Sequence, residues 1–267
     1  MMKIGFIGLG NMGGSLARLV AQDERYRKEL LLANRSSDKA EKIAAELGGQ
    51  PVSNAEVFAQ AEVIFLGIKP AQFADLLAEY QEVLEERDSL LLVSMAAGLS
   101  LETLEKLTPS HHRWLRIMPN TPVAVGEGVI SYALSQQAHQ ADEDLFRELL
   151  SSAGLLVKLE EKQLDAATAL AGCGPAFVYL FIEALADAGV RAGLSRDIAL
   201  QLANQTLLGA AKLSQVSAQH PAQLKDQVCS PAGSTIAGVA SLEENAFRGT
   251  VMDAVQAAYQ RTQELGK

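Results

Sequence analysis

The opening of the chain leaves few folds available. Lys3-Ile4-Gly5-Phe6-Ile7 is a short apolar run of strand character. Gly8-Leu9-Gly10-Asn11-Met12-Gly13 follows it directly and opens a helical pattern. Each glycine has a separate task in such a turn. Gly8 lets the chain reverse tightly, Gly10 lets the backbone approach a diphosphate, and Gly13 lets the helix lie close on the strand. The first turn of that helix carries unpartnered N–H groups and the positive end of the helix dipole, which together favour an anion. The spacing predicts a Rossmann-type dinucleotide site, with Asn11 and Met12 among its cofactor neighbours.

Two rhythms follow. Up to about Glu160, the β-rich runs Lys3–Ile7, Leu30–Asn34, Val63–Gly67, Leu90–Ser94, Leu115–Met118 and Leu155–Leu159 alternate with helical patterns such as Asp38–Leu47 and Pro70–Leu84. That alternation predicts βαβ units and a mainly parallel sheet. Continuous apolar runs such as Val63-Ile64-Phe65-Leu66 fit strands covered on both faces. From Glu161 onward the strand signal stops, and alanine-rich helical patterns are punctuated by Gly and Pro. The expected architecture is an α/β N-terminal Rossmann domain over residues 1–160 and an all-α domain over 161–267. Phe177-Val178-Tyr179-Leu180-Phe181-Ile182 is apolar on every face, so a helix there must be covered all round. In so small a helical domain, the expected cover is a neighbouring subunit.

Composition removes several function classes. Apolar residues make up 48% and charged ones 21%, which predicts a packed core. A formal charge of −9 and a pI of about 5.0 repel phosphate backbones, so no nucleic-acid partner is expected. The longest charge-free run, Ala166–Ile182, has 17 residues and holds two glycines and a proline. A membrane span needs about 20 apolar residues, so none is expected. Glycines interrupt the N-terminal run and speak against an export signal. Cys173 and Cys229 provide no disulfide framework, and neither they nor the four histidines show metal-ligand spacing. A reducing cytoplasm and no metal are the expectations.

The end of the second strand reads Asn34-Arg35-Ser36. NAD sites usually place a carboxylate there to bond the ribose 2′-hydroxyl. A carboxylate would repel a 2′-phosphate, whereas Arg35 can pair with it through its planar fork and Ser36 can donate a hydroxyl. NADPH is therefore the predicted cofactor, with NADH a weaker one. Ligands of open α/β sheets bind beyond the carboxyl ends of the strands. By that rule the dinucleotide is also lined by Gly67-Ile68-Lys69-Pro70, by Ser94-Met95-Ala96-Ala97-Gly98 and by Arg116-Ile117-Met118-Pro119-Asn120-Thr121-Pro122.

The late segment narrows the substrate. It reads Cys229-Ser230-Pro231-Ala232-Gly233-Ser234-Thr235-Ile236-Ala237-Gly238, followed by Leu242-Glu243 and Phe247-Arg248-Gly249. This resembles the signature of the pyrroline-5-carboxylate reductases, whose members usually read Ser-Pro-Gly-Gly-Thr-Thr before an apolar helix. Gly172-Cys173-Gly174-Pro175-Ala176-Phe177 is similar to that family's Gly-Ser-Gly-Pro-Ala-Tyr, and the resemblance runs from Gly8 to near Glu264. It implies NADPH-dependent reduction of 1-pyrroline-5-carboxylate to proline, the last step of proline biosynthesis. It also implies a homodimer through the C-terminal helices, often assembled into decamers. Cofactor contacts would come from the strand-end loops, including Ile68, Lys69, Pro70, Ala96, Ala97 and Asn120, and from the Asn at position 54. On this resemblance Ser230 and the N–H groups of Gly233, Ser234 and Thr235 anchor the substrate carboxylate. Thr235 is the catalytic candidate, hydrogen-bonding the ring nitrogen.

Three residues depart from the family's usual wording. Ala232 stands where Gly is usual, and would be strained if φ there is positive. Ser234 replaces a common Thr. Cys173 replaces a usual Ser and reads as a small packing residue rather than a nucleophile. A β-hydroxyacid-dehydrogenase-like oxidoreductase shares the glycine opening but relies on a mid-chain lysine, and none lies between Lys162 and Lys212. A general imine reductase uses the same hydride chemistry. A non-catalytic NADP-binding sensor would have no need of the Ser230–Thr235 anchor.

Overall fold

The computed structural model describes residues Met2–Leu265, which divide into two compact units. One runs to Cys173 and takes up the chain again from Ala258; the other is Gly174–Ala257. The first unit is built on an eight-stranded sheet: β1 (Ile4–Ile7), β2 (Leu30–Ala33), β3 (Gln50–Pro51), β4 (Val63–Leu66), β5 (Leu91–Ser94), β6 (Arg113–Pro119), β7 (Gly128–Leu134) and β8 (Gly154–Lys158). Their spatial order is β3-β2-β1-β4-β5-β6-β7-β8. All neighbours pair parallel except β6 and β7. The helices α1 (Asn11–Val20), α2 (Glu24–Arg27), α3 (Ser37–Leu47), α4 (Asn54–Gln60), α5 (Phe73–Glu79), α6 (Gln81–Glu86), α7 (Leu101–Glu105) and α8 (Gln140–Leu149) fill the connections.

Strand periodicity splits the core in two, because successive side chains point to opposite faces. Phe6, Leu32, Phe65, Val93 and Leu115 join one cluster, and Ile7, Leu31, Ile64, Leu92 and Trp114 the other. Phe6 and Phe65 stack with ring centroids 4.7 Å apart. Two buried rings are satisfied by hydrogen bonds: the Trp114 indole N–H donates to Thr108 Oγ1 at 3.1 Å. His112 accepts the Leu90 N–H at Nδ1 (3.1 Å), which leaves Nε2 to donate to the Leu84 carbonyl at 2.9 Å. Burial holds its pKa down to about 4.

The sheet agrees with the predicted parallel βαβ core and corrects it in three places. β7 was not foreseen: it is buried on both faces and antiparallel to β6, so its sequence shows no polar alternation. β3 is a two-residue edge strand, too short for a sequence signal. The single helix expected over Pro70–Leu84 is instead a 3₁₀ turn (Pro70–Gln72), α5 and α6, the last two parted at Tyr80.

From Glu161 a continuous helical run extends to Arg191: a 3₁₀ turn (Glu161–Gln163), α9 (Leu164–Ala167), a π turn (Thr168–Gly172) and α10 (Gly174–Arg191). The second unit then comprises α10, α11 (Arg196–Val216), α12 (Pro221–Val228), α13 (Ser234–Glu244) and most of α14 (Phe247–Leu265). α10 and α11 approach closely, since a Cβ on Gly189 would lie 2.9 Å from that of Ala199. Within this chain the cluster between them buries only Ala186, Ala199 and Ala203. Val178, Tyr179 and Leu180 of the all-apolar run are 46%, 59% and 65% exposed. The run Glu161–Arg191 has a mean hydropathy of 1.7 over its most apolar window, enough by length and composition alone to cross a membrane. The π turn and Pro175 interrupt its regularity.

Candidate active site

The glycine turn in the first unit is a crossing of two strands' ends. Gly8 has φ +93°, a conformation that favours glycine. A Cβ on Gly13 would stand 2.1 Å from the Gly8 carbonyl oxygen, and one on Gly67 would stand 2.4 Å from the same atom. The sequence places Gly67 at the end of the β-rich run Val63–Gly67 and in a lining loop, and carries no signal for its contact with Gly8. Around Gly10 nothing lies within 4 Å of an added Cβ, so this face is open for a ligand backbone. α1 begins with Gly10 at its N-cap and no side-chain cap, and the Asn11 and Met12 N–H groups have no acceptor among the described residues. These features fit a dinucleotide diphosphate.

Asn34 stands at the end of β2 and braces this turn: its Oδ1 accepts the Leu9 N–H at 3.0 Å. Its Nδ2 donates to the Ser36 carbonyl at 3.3 Å, which holds the Arg35 loop. Arg35 is exposed and enters none of the ion pairs among the described residues. Ser36 sits at the N-cap of α3 without a capping bond, so its hydroxyl is uncommitted. Asn54 is the first residue of α4, half-buried, next to the Ser53–Glu56 capping box. Ile68 is half-buried while Lys69 and Pro70 are exposed; Ala96 is buried and Ala97 half-buried beside Gly98, whose φ is +81°. Asn120 differs from the others. It is 7% exposed, and its carboxamide is spent on Val129 (N–H to Oδ1, 2.8 Å) and on the Ala171 carbonyl (Nδ2, 3.0 Å).

In the second unit, Ser230–Gly233 forms a turn closed by the Gly233 N–H donating to the Ser230 carbonyl at 3.0 Å. Pro231 occupies its first central position and Ala232 the second, with φ +57°. That is the pattern of a type II turn, which favours glycine at this place. The strain expected of Ala232 is thus present. A Cβ on Gly233 would lie 2.2 Å from Ser230 Oγ, so only glycine lets the hydroxyl sit there. The Gly233 N–H is engaged by the turn. Among the described residues, the donors without a partner at the head of α13 are those of Ser234, Thr235 and, with no signal in the sequence, Ile236. Ser230 and Ser234 are exposed and Thr235 half-buried. Such a helix start can hold a small carboxylate. No group of three or more His, Cys, Asp or Glu side chains is placed to bind a metal among the described residues.

A mainly parallel sheet with a glycine crossing at its strand ends, followed by a helical unit, is the build of a pyridine-dinucleotide oxidoreductase. Residues 161–265 match the family described as pyrroline-5-carboxylate reductase dimerisation, and residues 3–98 the one described as NADP oxidoreductase, coenzyme F420-dependent. The chain is 42% identical over 263 residues to a pyrroline-5-carboxylate reductase of Pisum sativum, covering 98% of this chain and 95% of that one. It is 39% identical to one from Synechocystis sp., covering 100% and 99%. Among solved structures, the pyrroline carboxylate reductase of Plasmodium falciparum with NADP bound is 35% identical with a TM-score of 0.85, covering 100% and 98%. The Coxiella burnetii enzyme is 30% identical with a TM-score of 0.90, covering 100% and 99%. The chain belongs to the pyrroline-5-carboxylate reductase family.

Proposed function

We propose that the protein reduces 1-pyrroline-5-carboxylate to L-proline with NADPH. The observation that carries this reading is the Ser230–Gly233 turn at the head of α13, where Gly233 makes room for the Ser230 hydroxyl, in a member of this family. Gly8, Gly10, Asn11, Met12 and Gly13 hold the cofactor diphosphate, and Asn34, Arg35 and Ser36 hold its 2′-phosphate end. Asn54, Ile68, Lys69, Pro70, Ala96, Ala97 and the Asn120 segment line the rest. When bound, the cofactor supplies a hydride to the ring C=N carbon.

The chain's own residues do the remainder. Ser230 and the N–H groups of Ser234 and Thr235 fix the carboxylate, and Gly233 makes room for the Ser230 hydroxyl. Thr235 Oγ1 hydrogen-bonds the ring nitrogen, which must gain a proton to become an amine. A threonine hydroxyl is a poor acid. The basic imine arrives protonated as the iminium, and positioning carries most of the rate. Residues 1–160 serve as the cofactor domain and 161–267 as the substrate and dimerisation domain. The exposed apolar residues of α10 are covered by a second copy of the chain, with a decamer as the larger assembly, in the cytoplasm.

The test is loss of NADPH absorbance on adding 1-pyrroline-5-carboxylate, run in parallel with NADH. Faster oxidation of NADPH supports substrate and cofactor preference together. Equal rates keep the enzyme and remove the role given to Arg35. No turnover in protein that still binds NADPH overturns the substrate.

A further inference from the structure

Asn120 and the π turn Thr168–Gly172 belong to one arrangement whose logic starts at Pro175. In a regular helix the Ala171 carbonyl would receive the N–H of residue 175, but proline has none. The chain meets this gap in two ways. It widens into a π turn, with the Cys173 N–H reaching back five residues to the Thr168 carbonyl at 3.0 Å. It also borrows a side-chain donor from the sheet, the Asn120 Nδ2–H, for the Ala171 carbonyl.

The amide's orientation is fixed by its two partners. Oδ1 must face the Val129 N–H, so Nδ2 must face the carbonyl. The Asn120 N–H closes the same corner on the Val129 carbonyl at 3.1 Å. One residue thereby ties the end of β6, the start of β7 and the π turn. Arg116, two turns of the strand pleat earlier on β6 and 5% exposed, grips the same helical segment through Asp165 at 2.9 Å and Glu161 at 3.3 Å. π turns inside helices are uncommon and collect at functional sites.

We propose that Asn120 is a positioning residue for the reaction: its amide fixes the Gly172–Pro175 joint by supplying the donor that Pro175 lacks. This rests on the reductase reading, in which the cofactor is held by the first unit and the substrate carboxylate by the second. The chain passes between the units at residues 173–174 and 257–258. Hydride transfer is sensitive to small misplacements of the groups that support it, so a Gly172–Pro175 segment left without its donor costs rate.

The experiment compares Asn120→Asp, Asn120→Ala and Asn120→Ala/Pro175→Ala with wild type. Asp keeps the acceptor for Val129 and loses the donor, and the Pro175→Ala change returns a backbone N–H to residue 175. Expected for Asn120→Asp are a kcat at least tenfold lower, an NADPH Kd within about twofold, and amide hydrogen exchange over residues 168–174 at least tenfold faster while β1 to β5 keep their protection. The double variant should regain most of the kcat and exchange protection that Asn120→Ala loses. The proposal is overturned if exchange over 168–174 is unchanged, whatever happens to kcat. A fall in NADPH affinity matching the fall in kcat also overturns it by making Asn120 a cofactor contact. Failure of every variant to fold does so by assigning the amide to folding. Exchange is read without substrate, so absence of wild-type turnover would strike the substrate reading alone.

Discussion

Two alanines in this chain hold left-handed backbone conformations, Ala232 at φ +57° and Ala246 at φ +54°. A Cβ in that region costs roughly 1 kcal/mol, offset in part because alanine also restricts the unfolded chain. Ala246→Gly, between α13 and α14, should stabilise by about 0.5 kcal/mol in urea unfolding and leave KM unchanged. Ala232→Gly should give a similar gain and also lower KM for the carboxylate substrate, since the methyl sits within the turn that shapes the cradle. Equal KM values for both variants would show that the methyl does not matter to binding. Gly233→Ala has the opposite character, because its Cβ would fall 2.2 Å from Ser230 Oγ. It should raise KM at least tenfold with NADPH binding intact. At the other site, Arg35→Ala should cost roughly 1.5–3 kcal/mol of NADPH binding, the range for charge-assisted hydrogen bonds, and spare NADH. Thr235→Ala separates two roles: a loss of about 10²–10⁴ in turnover marks a proton donor, and a loss well below tenfold marks an orienting group.

Joints between elements carry the buried polar chemistry of the first unit. His112 links the end of α6 to the start of β5 through Leu84 and Leu90. Burial depresses its folded pKa to about 4, and the neighbouring charges of His111, Arg87 and Arg113 push the same way. The unfolded chain binds a proton near pH 6.5, so the stabilisation is complete above that pH. It is lost as the pH falls from 6.5 through 4, amounting to about 3 kcal/mol at most. The urea midpoint should fall over that window, and His112→Asn should flatten this part of the profile. Arg116 is the second joint, buried against Asp165 and Glu161 at the start of the helical run. Arg116→Met leaves two carboxylates about 30% exposed without their cation. A loss of about 2 kcal/mol is expected, below the range for fully buried pairs. Elements with a clear apolar rhythm, such as β1, α1, β2 and α3, were legible in the sequence. β7 was not, because a strand buried on both faces and flanked by short turns offers no alternation to read.

At the scale of the whole molecule, an acidic chain of net charge −9 carries helices whose apolar residues this chain alone does not cover. Leu180, Leu208 and Met252 are each at least 60% exposed. Exposed apolar surface of this extent marks an interaction face. If a second copy provides the cover, sedimentation at micromolar concentration should report a dimer or a multiple of it. The unfolding midpoint should also rise with protein concentration, as mass action requires. A monomer whose midpoint is independent of concentration would remove the homodimer from the proposed function.

The sequence by itself determined the class of sheet and the glycine turn at Gly8–Gly13, and it carried the charge pattern of Asn34-Arg35-Ser36 and the Ser230–Thr235 wording on which the proposed cofactor and substrate sites rest. These are local matters of glycine freedom, apolar period and charge type, and a short window of residues contains their causes. Only the tertiary structure decided which of those groups remain available. The Gly233 N–H proved to be spent on its own turn, Ile236 to carry an N–H without a partner among the described residues, and Ala232 to be in the strained region. It also decided that Gly67 meets Gly8 and that Asn120 answers Pro175 from 55 residues away in the chain. Such partners are set by which strand ends meet when the sheet closes on its core, and no local pattern encodes that meeting.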